Sequence, residues 1–197
     1  MERLILARHG ESVFSERLLV NGDVQVPGPL TERGVEEARE LGKALAETEL
    51  DLCVTSEFER TRQTADAALA GRDVPRVVVA ELNDPRYGSY EGGALDAYRD
   101  WAASAGSEVA APGGGESRRQ IVTRYVRGFR SLAERPEATV LAVCHSLPIA
   151  YLLAARDGDP PGVRVPLVRH AHPYPFDSDG LARAVDVLDG WLAAPTW

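Results

Sequence analysis

Lysine is all but missing from this chain. Of its 22 basic residues only Lys43 is one, so arginine is the group left for gripping a phosphate or carboxylate at two points. Cysteine is nearly absent as well. Cys53 and Cys144 each sit inside an apolar run, which gives no disulfide framework and reads as two buried thiols. No apolar run approaches the ~20 residues of a membrane span, and the N-terminus has no basic stretch leading into a long apolar core. A cytoplasmic location is the expectation that follows. Excess positive charge is lacking too: at a net charge of −8 no basic surface meets nucleic acid or an anionic membrane, so an anionic ligand must be held by a local cluster. Repeats and low-complexity tracts are missing, and the Gly/Pro-rich pieces near 26–29, 112–115 and 158–162 have the composition of loops.

What is present suits one domain over residues 1–197, with 44% hydrophobic residues to fill a core. The pattern alternates. Strands are expected at Leu4–Ala7, Leu52–Thr55, Arg76–Ala80 and Thr139–Val143, with helices at Glu32–Glu47 and Glu57–Ala70, two before the fourth strand and one after it. Runs such as VVVA and TVLAV are apolar throughout, as in strands buried on both faces of a parallel sheet. The fold class expected is α/β, a three-layer α/β/α sandwich with a mostly parallel central sheet. Val35, Ala38, Leu41 and Leu45 share one helical face, as do Ile121, Tyr125, Phe129 and Leu132. Ser56 with Glu59 has the spacing of a capping box that would start the second helix. Leu181, Val185, Leu188 and Leu192 mark a final helix, with a strand expected before it around Val163–Arg169.

Polar residues collect where these strands end. Arg8 and His9 follow the first, Ser56 and Arg60 the second, Asp84 the third and His145 the fourth. In open α/β sheets that rim is where ligands bind, and helix N-termini there favour an anion. Two arginines and two histidines at such a rim point to phosphate chemistry. A neutral imidazole can attack phosphorus, arginines can hold the equatorial oxygens, and a carboxylic acid such as Asp84 can protonate the leaving group and then activate water. The arginine field is expected to keep His9 neutral. Such a scheme calls for neither a metal nor a cofactor.

The motifs "ARHGES", "TSEFERTRQTA", "LNDPRYGSYEG" and "AVCHSLP", in this order, resemble the histidine phosphatase superfamily, which includes the cofactor-dependent phosphoglycerate mutases. "PLTERGVEEARELG" and "PGGGES" support the match, which spans roughly Arg3 to Tyr151. The resemblance implies a phosphoglycerate mutase-like fold. It makes His9 the phosphorylated nucleophile and Arg8, Arg60 and His145 the phosphate pocket. Asp84 takes the acid/base position, often glutamate in the family, with Glu81 and Glu91 as alternatives. Ser15, Asn21 and Gly22 fall on substrate-pocket positions; Ser146, where the family usually has glycine, adds a hydroxyl to the cradle. Val13, Phe14, Arg17, Tyr90, Glu91 and Glu116 are the residues expected to face the substrate.

The segment between Asp84 and His145 is shorter than in the glycolytic mutases, which favours hydrolysis of a small phosphorylated substrate over isomerisation. A mutase and an idle phospho-ligand binding module stand as the alternatives, and a homodimer is left open. His170 and His172 in "RHAH" also have the spacing of a metal pair on one face of a strand, the basis of a third, metallohydrolase reading.

Overall fold

The computed structural model describes residues 1–197. Its strands are β1 (Arg3–Arg8), β2 (Leu52–Thr55), β3 (Arg76–Val78), β4 (Thr139–Cys144) and β5 (Pro173–Asp177), and they form one sheet in the order β3-β2-β4-β1-β5. β1, β2, β3 and β4 run parallel, and β5 pairs antiparallel with β1. The helices are α1 (Glu32–Ala44), α2 (Glu59–Ala68), α3 (Leu95–Ala105), α4 (Arg118–Ala133), α5 (Ser146–Arg156) and α6 (Ser178–Ala193). No helix is long and apolar enough to cross a membrane.

Strand alternation divides the core into two. Leu4, Leu6, Val140, Ala142 and Cys144 face α4, α5 and α6 in one cluster, while Ile5, Ala7, Cys53, Leu141 and Val143 face α1 and α2 in the other. The expected three-layer sandwich is therefore what forms. Both cysteines are free and buried, and burial pushes each thiol up to about 12, where it is inert at neutral pH.

Three local expectations are corrected. β3 is a short edge strand in which Val77 and Val78 stay exposed, because only β2 pairs with it; apolar runs alone do not tell an edge from a centre. Residues 163–169 form no strand. The last strand is "PYPFD" instead, and its prolines stand two apart, so both missing N–H groups point to the open side of an edge strand. Ser56 is not the N-cap of α2, which is Phe58: the buried Ser56 hydroxyl accepts a long 3.4 Å bond from the Phe58 amide and otherwise turns to Thr61 and His145, with no box to Glu59. The capping box that does form is Ser117 with Gln120, at the start of α4.

One close backbone approach positions the loop after β1. A Cβ on Gly10 would stand 2.2 Å from the Gly34 carbonyl oxygen, and one on Gly34 would stand 2.0 Å from that of Glu11. Both residues lack a side chain because α1 is pressed onto this loop. Gly34→Ala is expected to cost roughly 1–3 kcal/mol, read as a lower Tm in thermal melts, even though alanine is the better helix former.

Candidate active site

Four segments meet at the carboxyl ends of β1, β2 and β4. Arg8 closes β1, and the amide of His9 donates to the Cys144 carbonyl of β4 at 3.0 Å, tying the two strand ends together. His145 bridges β4 and α5 as the helix N-cap. Arg60 lies in the first turn of α2 with its guanidinium 4.1 Å over the Phe58 ring. Asp84 follows a short 3-10 turn, Ala80–Leu82. All of these except Asp84 are at least nine-tenths buried.

The partners fix the tautomers. A carbonyl oxygen only accepts, so the 2.7 Å contact of His9 Nδ1 with the Gly10 carbonyl puts the proton on Nδ1 and leaves the lone pair on Nε2. At His145 the order is reversed. Arg60 Nη2 donates to Nδ1 (3.2 Å), so Nε2 carries the proton and donates to Ser56 Oγ (2.8 Å). The relay continues through Thr61 Oγ1 (3.0 Å) to the Phe58 carbonyl (2.8 Å). Arg60 also donates to Asn21 Oδ1 (2.6 Å), the Asn21 carbonyl (3.0 Å) and Asp84 Oδ2 (3.1 Å). Thr64, one turn further along α2, accepts from the Gly10 amide at 2.9 Å and so ties α2 to the His9 loop.

Burial pushes both His9 and His145 well below the ordinary histidine value, and the Arg60 charge adds to it at each ring. Desolvation is thus the larger cause at His9, ahead of the arginine field. Burial pushes the Asp84 carboxyl up, against the pull of Arg60, Arg8 and Arg124, which favours a carboxyl able to hold a proton.

These shifts make acid stability a test. An unfolded histidine binds a proton near pH 6.5, whereas folded His9 and His145 resist it. The stability they contribute is present above about pH 6.5 and is lost as pH falls below it. Asp84 has the opposite sign, since its raised value means its share is lost as pH rises through it; two histidines outweigh it. Thermal melts between pH 7.5 and 5 are expected to show Tm falling below pH 6.5. His145→Asn is expected to make that slope shallower by up to one proton, about 1.4 kcal/mol per pH unit.

Arg8, His9, Arg60 and Asp84 line a cavity of about 310 Å³ together with Ser15, Asn21 and Ser146. Ser15 Oγ is engaged with Ser12 (3.1 Å), and Ser146 Oγ accepts from the Val168 amide (3.0 Å). Gly22, Glu116 and His145 do not line this cavity; His145, expected in the phosphate pocket, is joined to it through Arg60. The amide of Gly22 donates to Glu91 Oε2 (2.8 Å), and a Cβ there would collide with the Pro85 carbonyl, so Gly22 lets the Asn21 turn close. Glu116 is spent on Arg124 (3.1 and 3.0 Å), which in turn donates to the carbonyls of Glu81 and Asn83 (2.8 Å each) and holds the Asp84 segment in place. Glu91 accepts from the amides of Gly22 and Tyr87, and both Glu91 and Glu81 line a neighbouring polar groove, with Glu116 and Arg124, that meets the cavity only through Asp84 among the acidic residues. Asp84 is the carboxylate left at the cavity. Of the other residues expected to face substrate, Phe14 does; Val13, Arg17 and Tyr90 do not.

Arg118 and His170 are among the lining residues that escaped the sequence reading. His170 was visible only as half of a metal pattern. Its Nδ1 donates to the His9 carbonyl (2.7 Å) and its ring stands 5.5 Å from that of His9, whereas His172 packs on Tyr174 at 5.0 Å. The two rings go to different places, which removes the pair. Arg118 carried no signal beyond being basic at a helix start.

The fold and rim define an α/β protein in which two buried histidines and two buried arginines meet at the carboxyl ends of a mostly parallel sheet. The family model "Histidine phosphatase superfamily (branch 1)" matches residues 4–170, and the chain belongs to that superfamily. It is 31% identical over 168 residues to the adenosylcobalamin/alpha-ribazole phosphatase of Escherichia coli, covering 80% of each chain. To the enzyme of the same name from Salmonella typhimurium it is 42% identical over 89 residues, 45% of this chain and 43% of that one. Among solved structures, the alpha-ribazole phosphatase from Shigella flexneri superposes with a TM-score of 0.75 at 29% identity, over 89% of this chain and 90% of that one.

Proposed function

We propose that the protein hydrolyses a small phosphomonoester in two displacements through a phosphohistidine at His9. The observation that carries this reading is the Nε2 lone pair of a neutral, buried imidazole whose Nδ1 proton is committed to the Gly10 carbonyl. In the first step Nε2 attacks phosphorus, the bond to the ester oxygen breaks, and that oxygen takes the proton of the Asp84 carboxyl. In the second, water attacks the phosphoryl group, gives its proton to the Asp84 carboxylate, and the N–P bond breaks, restoring His9. Arg8 and Arg60 supply the positive charge that phosphoryl transfer calls for, and neutral His145, accepting from Arg60 through Nδ1, holds that guanidinium in place.

The test is release of inorganic phosphate from p-nitrophenyl phosphate, from alpha-ribazole 5′-phosphate, after which relatives are named, and from 3-phosphoglycerate, each with and without EDTA. Phosphate release indifferent to the chelator is expected. Turnover that the chelator abolishes, isomerisation of 3-phosphoglycerate without phosphate release, or binding without turnover of any ester would each overturn the proposal.

A further inference from the structure

Five arginines line the cavity, Arg8, Arg60, Arg99, Arg118 and Arg164, against one carboxylate, Asp84. Three of the five have acidic partners. Arg60 pairs with Asp84 (3.1 Å), Arg164 with Asp100, and Arg99 with Asp96 (3.7 Å). Arg8 donates to the Val168 carbonyl and stands beside His9, where a transferred phosphoryl group supplies its counter-charge. Arg118 is left over.

It is 93% buried, with 7% of its surface exposed, and no Asp or Glu carboxylate pairs with it. Its neighbours are the rings of Tyr98, Tyr151 and Trp197, each centred 5.9 Å from the guanidinium carbon, with the neutral Tyr151 hydroxyl in reach. It is also the first residue of α4, whose opening turn holds no acid, so its charge opposes the helix dipole. A buried cation without a counter-ion is costly and the helix dipole adds to the cost; the aromatic faces offset part of it, and a ligand that supplies the missing charge would offset the rest.

We propose that Arg118 is the docking point for a carboxylate on the substrate, carried at the end remote from the phosphoryl group on an apolar or aromatic frame. The frame follows from the lining that the two poles share: Phe14, Leu19, Tyr87, Leu95 and Tyr98 line the same cavity as His9 and Arg118. A guanidinium meets a carboxylate with two parallel hydrogen bonds, and the aromatic rings around it keep water from competing. This substrate class rests on the reading of His9 as the nucleophile.

Matched aryl phosphates test it. 4-Carboxyphenyl phosphate and 3-(4-phosphonooxyphenyl)propionate are each compared with their neutral carboxamides, in wild type, Arg118→Met and Arg118→Lys, with thermal melts to verify folding. The wild type is expected to favour at least one acid over its amide by about tenfold or more in kcat/KM, through KM. The preference should fall to within about twofold in Arg118→Met and be kept in part in Arg118→Lys, while p-nitrophenyl phosphate turnover stays within about twofold in both. Equal use of acid and amide by the wild type, a preference that survives in Arg118→Met, or alpha-ribazole 5′-phosphate outrunning every acid would overturn the inference and leave the hydrolase reading standing. Failure of the wild type to release phosphate from any ester would sink the hydrolase reading instead, and calorimetric binding of the same acid and amide pairs would still decide the role of Arg118.

Discussion

His9→Ala is expected to lower phosphate release by at least about 10⁴-fold while the protein stays folded, because the variant removes the atom that forms the covalent intermediate. No neighbouring group is set up to replace it. The His145 Nδ1 lone pair is taken by Arg60, and the hydroxyls of Ser12, Ser15 and Ser146 are held in hydrogen bonds to Ser15, Ser12 and the Val168 amide. The His170 ring lies 5.5 Å away with Nδ1 committed to the His9 carbonyl. The structural loss is small by comparison, one hydrogen bond to the Gly10 carbonyl and a partly refilled cavity, which thermal melts will show. Rapid acid-free quenching of wild type with a labelled phosphomonoester is expected to leave a protein-bound phosphoryl group that survives alkali and is lost in acid. His9→Ala should carry none. A variant that keeps its label, or keeps its turnover, would place the covalent step elsewhere.

Much of this site was legible because each of its residues abuts a strand end. Apolar runs such as "LILA" and "VLAV" carry a strong local signal, and the residue that follows such a run in a parallel sheet must emerge at the carboxyl rim. Arg8, His9 and His145 follow from that rule alone. Residues whose role depends on partners far along the chain were read less well. Ser56 has the spacing of a cap to Glu59, yet its hydroxyl serves His145, 89 positions away, because burial beneath that ring leaves it no exposed helix end to satisfy. Glu116 looked like a pocket residue and is instead half of the clamp with Arg124 that holds the Asp84 segment. β5 was missed since its two prolines argue against a strand, and only its place at the sheet edge beside β1 tolerates them. Arg118 shows the limit most plainly. Its significance lies in an acid that is not there, and the absence of a partner is invisible until the chain is folded.

Arg60 is the residue whose replacement should change the most properties together. Its guanidinium donates to Asn21, Asp84 and His145, and its charge depresses both histidines. Arg60→Met is expected to reduce kcat/KM by roughly 10³- to 10⁵-fold, the range for losing an arginine that stabilises a transferring phosphoryl group. It should also move the acid limb of the pH profile upward. Without the Arg60 charge His9 takes up a proton at a higher pH, so the neutral form that attacks phosphorus is lost sooner as the solution is acidified. Stability falls for a separate reason: Arg60 is 3% exposed, and its loss leaves the half-buried Asp84 unpaired, a change of about 3–5 kcal/mol, or on the order of 10 °C in Tm for a chain of this size. Pairing the substitution with Asp84→Asn separates the two effects. The double variant removes the orphaned carboxylate and is expected to regain a large part of the Tm, yet to remain as inactive as Arg60→Met, since neither the phosphate-binding charge nor the acid is restored. Recovery of activity along with stability would mean that Arg60 serves the fold and not the phosphoryl group.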